Sequence, residues 1–366
     1  MSENKVPPHG GNIYKAALTY GLKLEDILDY SANINPFGLP TRLKELLAAN
    51  LDNLVNYPDP DCTQLKNEIS RYLGIDEDRI VIGNGASEVI FLLFEVLKLK
   101  RILIPAPSFI EYTHAAVNAG IQVDFFRLRE EDGFKLSAAE LKTELAKGYD
   151  ALLLCNPNNP TSTLLSKDEL KDIISFAAAR GLYVIIDEAF IELTEGGNAN
   201  SMADTLEEFD RLFIIRAFTK LFAMPGLRLG YGLGNRALIE AMWRKKLPWS
   251  VNSLACCAGE ILNDSGEYLK RTGEWIAAEK IRFYNELSGI PGLKTYEPQT
   301  NFVLLKILDG RLNAGALRDM MAKKGILIRD ASNFKYLDGS YFRLAIKDRE
   351  SNLRLLELLK SIFTTQ

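Results

Sequence analysis

Hydrophobic positions along this chain fall into two textures. Between about residues 65 and 234, short apolar runs alternate with stretches in which apolar residues recur at helical spacing. The runs suit strands buried on both faces, and the intervening patterns suit crossover helices, so their alternation predicts a mostly parallel sheet. Strands are expected at 79–82, 101–104, 122–127, 151–155, 182–186, 212–216 and 228–232, with an amphipathic helix over 167–180 closed by Gly181. After Trp249 the texture changes. Helices are expected around 253–263, 267–287, 314–324 and 349–363, and strands near 301–307, 326–329 and 341–346. The pattern predicts an α/β chain with a large domain over 41–250 and a smaller α+β domain over 251–366, which an N-terminal arm over 1–40 joins.

Composition narrows the function classes. Apolar residues make up 47% of the 366, enough for a packed core, and 44 basic against 48 acidic residues give a net charge of -4. That balance favours neither nucleic acid nor a membrane surface as partner, so any anion site must be local. Cys62, Cys155, Cys256 and Cys257 are irregularly spaced, which gives no disulfide framework and no metal site. The first 12 residues lack the apolar core of a signal peptide, and no run approaches the ~18 apolar residues of a membrane span. A cytoplasmic protein is expected.

Three stretches can carry chemistry. In Gly83-Asn84-Gly85-Ala86-Ser87 a strand runs through glycines into a helix, where backbone N–H groups and the helix dipole make an anion site; glycine can also stand there for its dihedral freedom alone. Asp187 emerges at the end of an apolar strand, where ligands collect in open sheets, although a helix cap reads the same way. Lys220 follows another strand end in an apolar setting that favours a nucleophilic amine, whereas a lone lysine is ordinarily solvated. Pyridoxal phosphate needs all three kinds of group: an anion cradle, a carboxylate for its ring nitrogen and a lysine for its aldehyde.

Asn156-Pro157-Asn158-Asn159-Pro160-Thr161, Asp187-Glu188-Ala189-Phe190 and the segment from Thr219 and Lys220 to Arg228 and Gly230 resemble the signature stretches of the fold-type I pyridoxal-phosphate enzymes of the aminotransferase class. The resemblance implies that Lys220 carries the cofactor as a Schiff base, that Asp187 pairs with its ring nitrogen and that Asn159 bonds its phenolic oxygen. It further implies that Gly85, Ala86, Ser87 and Arg228 hold the cofactor phosphate, that Thr219 also binds the cofactor, that Phe109 stacks on the ring and that Arg343 takes a substrate carboxylate. Tyr57 resembles a tyrosine that reaches the neighbouring subunit's cofactor, which implies a homodimer. Phe190, Ala217 and Ser162 depart from the usual tyrosine, hydroxyl residue and glycine, and the first two are expected to loosen cofactor binding.

Within the class, His9-Gly10-Gly11-Asn12, the Ser31 to Gly38 stretch containing Asn33, and Ile328-Arg329-Asp330-Ala331-Ser332-Asn333-Phe334 resemble the threonine-phosphate decarboxylases of cobalamin synthesis, with histidinol-phosphate aminotransferases next. The substrate is then a small phosphorylated amino acid, bound by His9, Asn33, Arg329 and Arg343. Independently of the resemblance, two arginines in strands of the small domain suit a carboxylate and a phosphate, although Arg329 also reads as a surface partner of Asp330, and His9 as part of a loose tail. Decarboxylation rather than transamination rests on the N-terminal resemblance alone. A regulatory protein that keeps the fold without catalysis is disfavoured by the presence of Lys220, Asp187, Asn159 and Arg228 together.

Overall fold

A computed structural model describes residues 9–364. Its first strand, β1 (Leu28–Asp29), precedes the seven strands of a large sheet: β2 (Ile80–Asn84), β3 (Arg101–Ala106), β4 (Gln122–Arg127), β5 (Ala151–Cys155), β6 (Tyr183–Asp187), β7 (Leu212–Ala217) and β8 (Leu229–Leu233). Their order is β2-β8-β7-β6-β5-β3-β4. All neighbours are parallel except β8, which runs antiparallel to both β2 and β7.

Side chains alternate between two cores, as the period-two geometry of a strand requires. Leu152, Leu154, Val184, Ile186, Leu212 and Ile214 face one apolar cluster, whereas Leu153, Ile185, Phe213 and Ile215 face the other. With both faces covered, these strands need continuous apolar runs, which is why the sequence pattern located them. The helix Lys167–Ala178 begins with a capping box between Ser166 and Glu169 and buries Leu170, Ile173, Ile174 and Ala177.

A second sheet has the order β12-β13-β10-β9, all antiparallel, built from β9 (Leu293–Thr295), β10 (Phe302–Ile307), β12 (Arg329–Asp330) and β13 (Tyr341–Ala345). The helices Gly266–Ser288 and Arg349–Thr364 pack over it through Ile276, Phe283, Leu355 and Leu359. The single strand expected over 326–329 is divided: β11 (Ile326–Leu327) pairs with β1, and only β12 joins the second sheet. Tyr30 follows β1 into this core, its N–H donating to Leu327 and its carbonyl accepting from Ala345.

One expectation needs correction. Val251, Ala255, Cys257, Ala258, Ile261 and Leu262, placed beyond the large domain by the sequence pattern, pack into the core beneath the large sheet. The helix expected over 253–263 is an α-helix only over Ser253–Cys257 and tightens to 3-10 geometry over Ala258–Asp264. Gly259 sits so close to Leu65 that a Cβ there would overlap it. Among the described residues no helix is long and apolar enough to cross a membrane.

Candidate active site

In the large sheet Cys155 pairs with Asp187 and Asp187 with Ile215, so the chain leaves β5, β6 and β7 at one level. This is the carboxyl edge, where open parallel sheets collect ligands. A cavity of about 320 Å³ lies there, lined by Asn159, Asp187, Thr219 and Lys220. Its far walls come from Ala86 and Ser87, from Phe109 and Arg228, and from Arg329, Arg343, Asn33 and His9. Of the residues expected in the site, only Gly85 and Tyr57 lie off the cavity surface.

Gly85 has a supporting place. It opens the helix Gly85–Leu97 at φ 76°, and a side chain there would collide with the Arg228 guanidinium. Gly230 is likewise required by proximity, because a Cβ would run into the backbone of Gly85 and Ala86. Two glycines therefore let β8 and Arg228 press against a helix N-terminus whose first N–H groups have no intrahelical partner. The result is an anion cradle made of backbone dipole and one guanidinium.

Asp187 is 5% exposed. Burial raises its carboxyl above the usual range, while the Tyr112 hydroxyl donating to Oδ2 at 2.7 Å and the Ala189 N–H donating to Oδ1 at 2.9 Å oppose that shift. Lys220 lies in a short helix, Phe218–Leu221, and its Nζ lies 5.8 Å from the centre of the Phe190 ring. Burial, together with the positive charges of Arg343 and Arg228, pushes its amine down to about 8. The free-base fraction of Lys220 near neutral pH is thus far larger than that of an ordinary lysine.

The opposite wall is strongly cationic. Arg343 donates to the Asn159 side-chain oxygen and, at 2.8 Å, to the Ser31 carbonyl, while its Nε finds no partner among the described residues. Burial and then Arg329 bring it down to about 9. Arg329, brought down to about 10 chiefly by burial, donates to the Asp330 carbonyl at 2.6 Å and to Asn333 Oδ1 at 2.7 Å, beside the Phe334 ring. It is 4% exposed and so no surface residue, and the Asp330 carboxylate turns instead to Arg318. Among the described residues, neither amide atom of the buried Asn33 has a partner. His9 reaches the cavity through a 2.9 Å contact with Glu111, which also meets His114. Tyr57 projects into solvent, 81% exposed, and packs on Trp249 with ring centres 5.0 Å apart.

These groups fit pyridoxal phosphate. The cradle that two glycines keep open suits a phosphate, the buried carboxylate suits a protonated ring nitrogen, and the depressed lysine suits an aldehyde. Comparison with known proteins decides the matter: the model of aminotransferase class I and II matches residues 25–359. The chain belongs to that family. The threonine-phosphate decarboxylase of Salmonella typhimurium is 36% identical over 357 residues, covering 97% of this chain and 96% of that protein. A histidinol-phosphate aminotransferase of Methanococcus aeolicus is 30% identical, covering 99% and 97%. The crystal structure of the histidinol-phosphate aminotransferase from Clostridium acetobutylicum superposes with a TM-score of 0.86 at 35% identity, covering 93% of this chain and all of that one.

As a member of this family the protein is a pyridoxal-phosphate enzyme, and its departures from the common pattern have structural counterparts. Phe190 packs edge-on against Phe302 at 5.0 Å, and Ala217 lines the cavity beside the Thr219 hydroxyl. Ser162 adopts φ 64°, the left-handed conformation that favours glycine, and its hydroxyl accepts from the N–H groups of Gln299 and Thr300, both at 3.1 Å. Sequence reasoning missed Tyr112 and Glu111. The only signal was their place one turn beyond Phe109, and that spacing does not say that the turn faces Asp187.

Proposed function

We propose that this protein releases the carboxylate of O-phospho-L-threonine as CO₂ in the cytoplasm, yielding 1-aminopropan-2-yl phosphate, a precursor of the cobalamin side chain. The observation that carries the phosphorylated substrate is Arg329, a second buried guanidinium beside Arg343 in a cavity that His9 and Asn33 also line. The choice of reaction is supported by the near full-length similarity to the Salmonella decarboxylase.

When bound, pyridoxal phosphate supplies an electron sink for the bond broken at the substrate α-carbon. Gly85, Ala86, Ser87, Thr219 and Arg228 would hold its phosphate, Phe109 its ring face, Asp187 its ring nitrogen, Asn159 its phenolic oxygen and Lys220 its aldehyde. Tyr112 and the Ala189 N–H keep the Asp187 carboxylate aimed. Arg343 binds the substrate carboxylate, and Arg329, His9 and Asn33 bind its phosphate. Lys220 Nζ, brought down to about 8 and so still mostly protonated at neutral pH, returns a proton to the α-carbon.

The likeness to the Clostridium aminotransferase favours a second reading, transamination of histidinol phosphate. Incubation with phosphothreonine, and separately with histidinol phosphate plus 2-oxoglutarate, separates the two. CO₂ in the first tube without glutamate in the second is expected; the reverse overturns the decarboxylase reading. The same proposal includes a homodimer, supported by the exposed Tyr57–Trp249 pair and by Val55 and Leu247, which are 88% and 73% exposed nearby in sequence. A monomer by sedimentation that stays active on dilution would remove that part.

A further inference from the structure

Two of the four free cysteines meet outside the cavity. Cys62 is the N-cap of the helix Thr63–Leu73, held at φ 49° and 2% exposed. Cys256 lies in the helix Ser253–Cys257 and is partly exposed. Their sulfurs are 3.8 Å apart, with the Cys256 thiol donating to Cys62. A disulfide needs about 2 Å between sulfurs, and rotation about the two Cα–Cβ bonds moves them on that scale.

The surroundings single out this pair from the other thiols. The hydrogen bond from Cys256 lowers the Cys62 thiol against the effect of burial, and Lys246 and Lys66 add to it while Asp59 opposes it. A helix N-terminus also favours a thiolate. Burial pushes Cys155 up to about 12 and Cys257 up to about 11, and Cys256 is raised well above its usual value by the hydrogen bond it donates to Cys62 and then by burial, so Cys62 is the thiol of the four whose surroundings favour the thiolate and Cys256 the neighbour that keeps its proton beside it.

We propose that Cys62 and Cys256 form a redox-active dithiol that a peroxide converts into an intramolecular disulfide. The Cys62 thiolate attacks one peroxide oxygen, the O–O bond breaks, and the departing hydroxide takes a proton to become water. The Cys256 sulfur then displaces the hydroxyl from the resulting sulfenic acid, forming the S–S bond and a second water. Two thiols are oxidised and one hydrogen peroxide is reduced. The new bond joins the segment that follows Tyr57 to a helix whose N-cap, Asn252, donates to the Leu227 carbonyl next to Arg228. It therefore pins the Tyr57–Trp249 face to the chain that carries the cradle arginine.

The test is to treat the cofactor-loaded protein with a small excess of hydrogen peroxide and titrate thiols in denaturant. The titre should fall by two from four per chain and recover fully with dithiothreitol. Non-reducing peptide mapping should join the Cys62 and Cys256 peptides within one chain, and Cys256→Ser should abolish that joined peptide. An unchanged titre, a link through Cys155 or Cys257, or a link between chains would overturn the proposal.

Discussion

The two walls of the cavity are built on different principles. On the wall from the large sheet, the buried carboxylate is satisfied within the protein: Asp187 accepts from Tyr112 and Ala189. On the facing wall, the Asn33 amide and Arg343 Nε are buried without a partner among the described residues. A buried polar atom left unpaired costs about 1–3 kcal/mol, so a wall that keeps such atoms is less stable until a ligand reaches it. The contrast separates a surface prepared for a resident group from one prepared for a transient one.

The sharpest break of the resident wall is Lys220→Ala. Borohydride reduction should fix the cofactor's mass on the Lys220 peptide of the parent protein and on no peptide of the variant, with turnover down at least ~10³-fold. In the parent, the rate of cofactor capture should rise about tenfold per pH unit and level off near pH 8, because only the free amine reacts and its fraction grows until the lysine has lost its proton. Capture independent of pH between 6 and 8 would contradict the depressed amine.

Arg329→Ala attacks the transient wall. Loss of a charged hydrogen bond of about 1.5–3 kcal/mol predicts a fall of at least about tenfold in kcat/KM for the phosphorylated substrate, with cofactor affinity unchanged. Steady-state kinetics beside a cofactor titration measures both. Tyr112→Phe should do the opposite and by less, weakening cofactor binding up to about tenfold while leaving KM for substrate alone. If both variants shifted both quantities alike, the two walls would be one unit.

Much of this was legible in the chain. The seven long strands of the large sheet were found within two residues at every end, and for the central strands β5, β6 and β7 this is because two-sided burial writes a continuous apolar run. β1 and β9 were not, since two or three residues carry no period, and the break between β11 and β12 was hidden because the chain stays extended and buried while it changes partner, which residue type does not record. The cavity residues drawn from strand ends announce themselves by position. Tyr112 does not: its partner Asp187 is 75 positions away, and only the order of strands brings them together.

The pairing of β1 with β11 has a consequence in time. Asp29 lies opposite Leu327, near the other end of the chain, and Tyr30 is held between Leu327 and Ala345. A ribosome adding about 5–20 residues per second emits the second partner roughly 15–60 s after the first. The nascent N-terminal segment must wait through that interval without its strand partner, so a message truncated before codon 326 would leave β1 unpaired and Tyr30 without the Leu327 carbonyl and Ala345 N–H that hold its backbone.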